Sequence, residues 1–509
     1  MNSKIKLCLV ALLALVGIGT TAQAKSSIQL RVNGMRDSSV VLGYYYGEGR
    51  YALDTAQMDA RGKVTFHNDS TYRPGMYIAI VPSAGILEFM LGEGPQNVEI
   101  SFDKDNFVAS QKAKGSPVLE DFVAFQQFML SMQKKSDELR GLDSIARVKN
   151  PKKPQETEEF KQLERLNTQY NQEVEDYKER LVQKHKDDIL GKFTMAVKPV
   201  TVPEYTVPEG VKNKDSAQWR YGYDYIKAHY LDNIDLGYDG ILNLPTVVDK
   251  VETYLDKKML QLPDTLARYC DTILERSSKS QSNFSFWASR LLNKYQMSEI
   301  VGMDAVFVHL AERYFLKGRT PWLSDSIIKK IQERVTALKP NLIGKVASNF
   351  RVQQIDGKDY ELLKDTKPKA TLIIFWEPTC SHCRVAIPRL DSICKPLEKQ
   401  GLRVVAFMTQ GDGPKWQEYV LDHKLTRWTN VWDPYRTSKF DKTYDIYSTP
   451  VIYILDKDHK IVVKRIGVES VDPVVRELLN LPQAEAKGKK GTSKAQKNGE
   501  KNRKKGKKK

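Results

Sequence analysis

Residues 371–383 read TLIIFWEPTCSHC: an unbroken apolar run, Thr371–Trp376, and then two cysteines, Cys380 and Cys383, separated by two residues. A short apolar run bounded by turn residues is the pattern of a strand buried on both faces. Helical spacing follows from the cysteines to about Lys399, and Arg403–Met408 (RVVAFM) reads as the next strand. Strand, helix and strand in that order make a crossover unit with parallel strands. Working outward, Phe350–Gln354 reads as an earlier strand and Trp416–Leu421 as a further helix. After Ser448-Thr449-Pro450 come strands at Val451–Leu455 and Lys460–Arg465 and a last helix around Pro473–Leu479. Residues 344–482 are therefore expected to form one α/β domain.

The residues that carry a resemblance lie within that span. Phe375-Trp376 precede the cysteine motif, Pro388 follows five residues after Cys383, and Thr449-Pro450 precedes an apolar strand; Gly344-Lys345 and Phe350 stand at the start. Together they resemble the thioredoxin fold, and more narrowly the TlpA-like envelope thiol–disulfide oxidoreductases with a C-terminal redoxin domain. Residues 26–340 resemble the β domain and helical region that precede such redoxin domains in some multidomain envelope proteins, and that likeness implies no activity. The resemblance makes Pro450 a cis-proline whose bend sets Thr449 backbone groups beside the cysteine pair, where they would bind an extended substrate peptide.

The chemistry of the residues agrees. A helix N-terminus carries unpaired N–H groups, whose partial positive charge lowers the pKa of a thiol placed there. The thiolate is the nucleophile. Cys380 is expected to attack a partner's disulfide and Cys383, one turn on and more buried, to resolve the mixed disulfide. His382 can add charge or a hydrogen bond to the Cys380 thiolate, and stabilising the reduced form makes the pair a stronger oxidant. No cofactor is expected beyond the redox-active disulfide Cys380–Cys383, and no metal.

Two departures from the family pattern stand out. Family members often carry an acid that assists the second cysteine, on the strand before the motif or on the following helix. The corresponding positions here are Ile374 and Ala386, which leaves Glu377 or solvent for that part. A histidine at 382 resembles oxidase and isomerase variants, whereas TlpA-like relatives are commonly reductants, so the direction of exchange stays open. Zinc binding is disfavoured because Cys394 lies eleven residues beyond Cys383, roughly 16 Å of axial rise along a helix. A peroxidatic site would need Pro-x-x-x-Thr ahead of its cysteine, and Ile373 and Glu377 occupy those positions. Cys394 reads as a buried helix-face thiol. The competing reading is an envelope binding or scaffold protein whose thioredoxin-like domain is inactive.

Upstream, residues 25–115 show period-two patterning, as in Ile28, Leu30 and Val32, and are expected to form an antiparallel, sandwich-like β domain with His67 on its surface. Ser116-Pro117 is a helix start. From Phe160 to Leu181 seven apolar residues advance at an average of 3.5, the coiled-coil period, so residues 116–192 are expected to be a helical hairpin. Residues 191–215, punctuated by Pro199, Pro203 and Pro208, are expected to be extended, and residues 193–343 to be a helical domain whose periodicity returns from about 216. Cys270 reads as a structural thiol, and Asp232–Gly240 as a turn rather than an EF-hand loop. The fold class expected is multidomain: an N-terminal β domain, a central α-helical region and a C-terminal α/β thioredoxin fold.

The ends explain the charge. The chain of 509 residues has a formal net charge of +17. Residues 484–509 hold twelve Lys/Arg and two Glu, hence +10, and Lys4 and Lys6 add +2, which leaves +5 for residues 25–483. The basic excess is therefore concentrated in a Lys-rich tail (483–509), expected to be disordered, which has no aromatic residue to stack on bases. No nucleic-acid partner is expected; an anionic envelope surface is. Residues 1–24 pair two lysines with an apolar run and end in Ala22-Gln23-Ala24, the pattern of a signal peptide cleaved near Ala24. The expected location is the periplasm or cell envelope. The expected partners are envelope proteins with thiols or disulfides and a membrane-bound thiol redox donor or acceptor.

Overall fold

The computed structural model describes residues 26–483 apart from Tyr447. The expected signal peptide and Lys-rich tail lie outside the described residues. The described residues divide into two compact units, one running to Gln261 and including Tyr269–Trp287, the other made of Leu262–Arg268 and the chain from Ala288 onward.

The first unit opens with strands β1 (Ser26–Asn33), β2 (Ser39–Tyr46), β3 (Gly49–Gln57), β4 (Lys63–Asn68), β5 (Gly75–Val81), β6 (Gly85–Leu91) and β7 (Asn97–Asp103). A single turn α1 (Phe107–Ser110) and β8 (Lys112–Lys114) follow. They make two four-stranded sheets, ordered β4-β1-β7-β8 and β3-β2-β5-β6. Side chains from both, among them Ile28, Leu30, Phe66, Leu42, Phe89 and Phe102, form one buried core, so the alternation read in the sequence is a sandwich. The expectation of wholly antiparallel pairing needs one correction, because β1 runs parallel to β7. Their apolar residues face one core in either direction, so patterning alone does not fix strand polarity. His67 is exposed, as expected.

Helix α2 (Pro117–Lys149) starts at its proline, although the Ser116 side chain makes no capping bond. It pairs with α3 (Glu158–Lys184) as a hairpin, in which Phe128 stacks on Tyr177 at 4.0 Å and Lys135 bonds Glu173 at 2.6 Å. The stretch expected to be extended begins instead with α4 (Ile189–Val197), whose N-cap Asp188 accepts from the N–H groups of Leu190 and Gly191. Helices α5 (Lys214–His229), α6 (Pro245–Thr253), α7 (Pro263–Ser277), α8 (Gln281–Gln296), α9 (Asp304–Leu310) and α10 (Asp325–Leu338) complete the helical region. Cys270 is fully buried in α7.

The second unit carries a seven-stranded sheet ordered β10-β9-β13-β12-β11-β14-β15. Its strands are β9 (Arg351–Gln354), β10 (Asp359–Glu361), β11 (Ala370–Trp376), β12 (Leu402–Met408), β13 (Thr429–Trp432), β14 (Val451–Asp456) and β15 (Ile461–Lys464). Its helices are α11 (Ser381–Glu398), α12 (Gly413–Asp422), the short α13 (Phe440–Thr443) and α14 (Val471–Leu478). β11 lies parallel to β12 and antiparallel to β14. Every residue of β11 is buried. Leu372, Ile374 and Trp376 pack with α11 and α14 on one face, and Ile373 and Phe375 pack with Phe407, Phe440 and Tyr444 on the other. Two covered faces explain why the run is apolar throughout rather than alternating. β10, β13 and α13 are too short to give a periodic signal and were not foreseen.

Candidate active site

The site lies where β11 ends and α11 begins. Cys380 is the N-cap of α11, with extended backbone (φ −72°, ψ 124°), and Cys383 sits in the first turn with its side chain fully buried. Pro378 and the bond from the Cys380 N–H to the Glu377 carbonyl (3.3 Å) turn the chain from strand into helix. The Thr449–Pro450 peptide bond is cis, and the Cys380 Sγ lies 3.5 Å from the Thr449 carbonyl oxygen. The fold thus brings Cys380, Cys383, Thr449 and Pro450 together across 69 residues of sequence. The described cysteines are free thiols.

The two thiols are driven apart in acidity. For Cys380, partial burial opposes ionisation, but it is outweighed by the N–H of Cys383, hydrogen bonding with Thr449 and the Cys383 thiol, and the N–H of His382. The thiol therefore falls below its ordinary value. Burial pushes the Cys383 thiol up to about 12, against the opposing pull of the Glu377 backbone. A nucleophile and a resolving thiol need that asymmetry. His382 contributes through its backbone N–H, and its side chain is exposed. Burial also raises the Cys394 thiol, which lies on the core face of α11.

Glu377 is better placed than the sequence alone could say. Its carboxylate accepts from the Thr409 hydroxyl (3.0 Å), the Gln410 amide (3.1 Å) and the Thr449 hydroxyl (3.3 Å). It thereby joins the end of β12 to the cis-proline loop beside Cys380. Ile374 and Ala386 are buried and apolar, so those positions supply no acid. Thr409 and Gln410 were missed; the available signal was their place at the C-terminal end of a parallel strand, where sites in open α/β sheets gather.

Residues 343–464 match the AhpC/TSA family, and residues 26–122 match a domain of unknown function, DUF4369. The chain is similar to the thiol-disulfide oxidoreductase ResA of Bacillus cereus, with 29% identity over 128 residues, 25% of this chain and 72% of that one. Among solved structures it is similar to a domain of a possible thiol-disulfide isomerase from Cytophaga hutchinsonii. That match has 34% identity and a TM-score of 0.25, covering 27% of this chain and 92% of the other. A thioredoxin-like protein from Bacteroides caccae also matches, with 18% identity and a TM-score of 0.42, covering 55% of this chain and 99% of that one. The C-terminal part of the chain is a thioredoxin-like redoxin domain, and its sequence homologues include thiol-disulfide oxidoreductases.

Proposed function

We propose that this protein is an exported thiol–disulfide oxidoreductase that exchanges disulfides with envelope proteins through Cys380 and Cys383. The observation that carries the reading is the opposed acidity of the two thiols at one helix start, with the Thr449 carbonyl 3.5 Å from Cys380. In the reducing direction the Cys380 thiolate attacks one sulfur of the client's disulfide. The Cys380–client bond forms as the client's S–S bond breaks, and the departing client thiolate takes a proton from solvent. Cys383 then loses its proton and attacks the Cys380 sulfur, forming Cys380–Cys383 and releasing the second client thiolate. The client gains two electrons and the pair loses two; the reverse sequence oxidises a dithiol client. Thr449 and Pro450 would align the client's backbone, and His382 would tune the thiolate through its N–H. The pair itself is the only redox group invoked, and a membrane-bound thiol donor or acceptor would reset it. The signal-like residues 1–24 support export to the periplasm or cell envelope, and the basic tail would lie on its anionic surface.

A redox titration of the full chain beside Cys380→Ser tests the reading. A single two-electron couple that vanishes in the variant supports it, and no exchange with any model disulfide overturns it. The apolar surroundings at Ile374 and Ala386 favour a second reading, a binding or scaffold protein with an inactive domain. That reading prevails if Cys380→Ser and Cys383→Ser both fully complement a deletion strain.

A further inference from the structure

Beside the cysteine pair, within the second unit, lies a cleft of about 1170 Å³. One end is lined by Glu377, Thr409, Gln410 and Thr449, and a long wall is α10, with Ile327, Lys330 and Ile331 among its lining. We propose that this cleft seats the extended polypeptide segment flanking the client's reacting cysteine, so that α10, outside the redoxin domain, selects unfolded chains as substrates. The inference rests on the proposed exchange activity.

Three observations point to that occupant. The first is continuity: Thr449, whose carbonyl faces Cys380, is itself a lining residue. A client chain paired to its backbone would run from the sulfur directly into the cleft. The second is size and chemistry. The volume exceeds the roughly 300–1,000 Å³ of small-molecule pockets, and the lining mixes apolar groups (Leu292, Ile327, Ile446) with side-chain amides (Asn293, Gln296, Gln410). Apolar groups suit alternate side chains of a strand, and amides suit its peptide groups. The third is rigidity. Asp445, buried in the opposite wall, is ion-paired to Arg334 of α10 and to Arg465. Lys464 pairs with Asp304 and donates to the Asn341 carbonyl at 2.7 Å, and Asn341 donates to the Thr443 carbonyl. Walls fixed in advance lower the cost of ordering a bound chain. Ile327 marks the face in use: it sits on the apolar stripe of α10 yet stays 43% exposed.

The test compares two substrates on the full chain. One is a flexible ten-residue peptide closed by a disulfide between two cysteines, and the other is a small aromatic disulfide that reaches only Cys380. Ile327→Arg and, separately, Lys330→Glu are expected to change kcat/KM for the peptide by about tenfold, Ile327→Arg downward, with the small disulfide reduced at the wild-type rate. Both positions are exposed on α10, so the fold should tolerate either change. Wild-type peptide kinetics in both variants overturn the inference and leave the proposed activity standing. Equal losses on the two substrates also overturn it, because they mean the site itself has been disturbed. A wild-type chain that reduces neither substrate overturns the proposed activity, and the inference falls with it.

Discussion

The Glu377 carboxylate accepts a hydrogen bond from the Thr449 hydroxyl at 3.3 Å, and Thr449 in turn holds its carbonyl 3.5 Å from the Cys380 sulfur. The acid thus acts on the nucleophile's surroundings through the loop that carries cis-Pro450.

Glu377→Ala should lower stability by about 1 kcal/mol, since three donors lose an acceptor and Thr409 retains only a long contact with the Trp376 carbonyl. It should also slow exchange, because Thr449 is no longer held. Glu377→Gln keeps an acceptor and should recover most of both losses. Urea midpoints and exchange rates measured together decide; wild-type behaviour in Glu377→Ala removes the role.

Alkylation by iodoacetamide should follow the thiol asymmetry. The pKa of Cys380 is lowered, so at any pH where a free cysteine is still partly protonated a larger fraction of Cys380 should be thiolate and its alkylation should be faster. As pH falls through the lowered value, the rate should drop. Cys383, raised to about 12, should remain unmodified across the neutral range. Mass spectrometry of the modified chain assigns each site, and a faster Cys383 would contradict the assigned roles.

Asp445→Asn should cost about 1.5–3 kcal/mol, because it removes the carboxylate that Arg334 and Arg465 share while both guanidinium groups keep some access to solvent. Asp445 adopts φ +55°, which asparagine also tolerates, so the loss would report the charge rather than backbone strain. Chemical denaturation measures it; a change under 1 kcal/mol would show that the ion pairs do not fix the cleft wall.

Cys394 is fully buried and its thiol is held neutral, so it should resist thiol reagents until the domain unfolds. Cys394→Ala should leave the redox couple unchanged and cost about 1 kcal/mol for the small cavity. A shifted couple would assign Cys394 to the redox chemistry after all.

The redoxin domain was legible because its signals are local. β11 is buried on both faces, so its sequence is apolar throughout, and the cysteine pair right after Phe375-Trp376 marks where the strand gives way to the helix. The sandwich was legible in Ile28, Leu30 and Val32, but the polarity of β1 against β7 was not, because either direction buries the same side chains. Segments as short as β13 and α13 have too few residues for a period to show. The stretch at 191–197 looked extended because prolines follow closely, while its helix is set by the Asp188 cap.

The sequence by itself determined the class of domain and the pair of thiols, since both depend on residue type at short spacing, while Thr449-Pro450 pointed to a cis-proline only through the family resemblance. Tertiary structure decided between Glu377 and solvent as the neighbour of the pair, and supplied the burial that raises the Cys383 thiol. It alone also showed that α10 walls a cleft reaching Thr449. Those are matters of distance and burial between residues dozens of positions apart, and a linear pattern carries no record of which surfaces folding brings together.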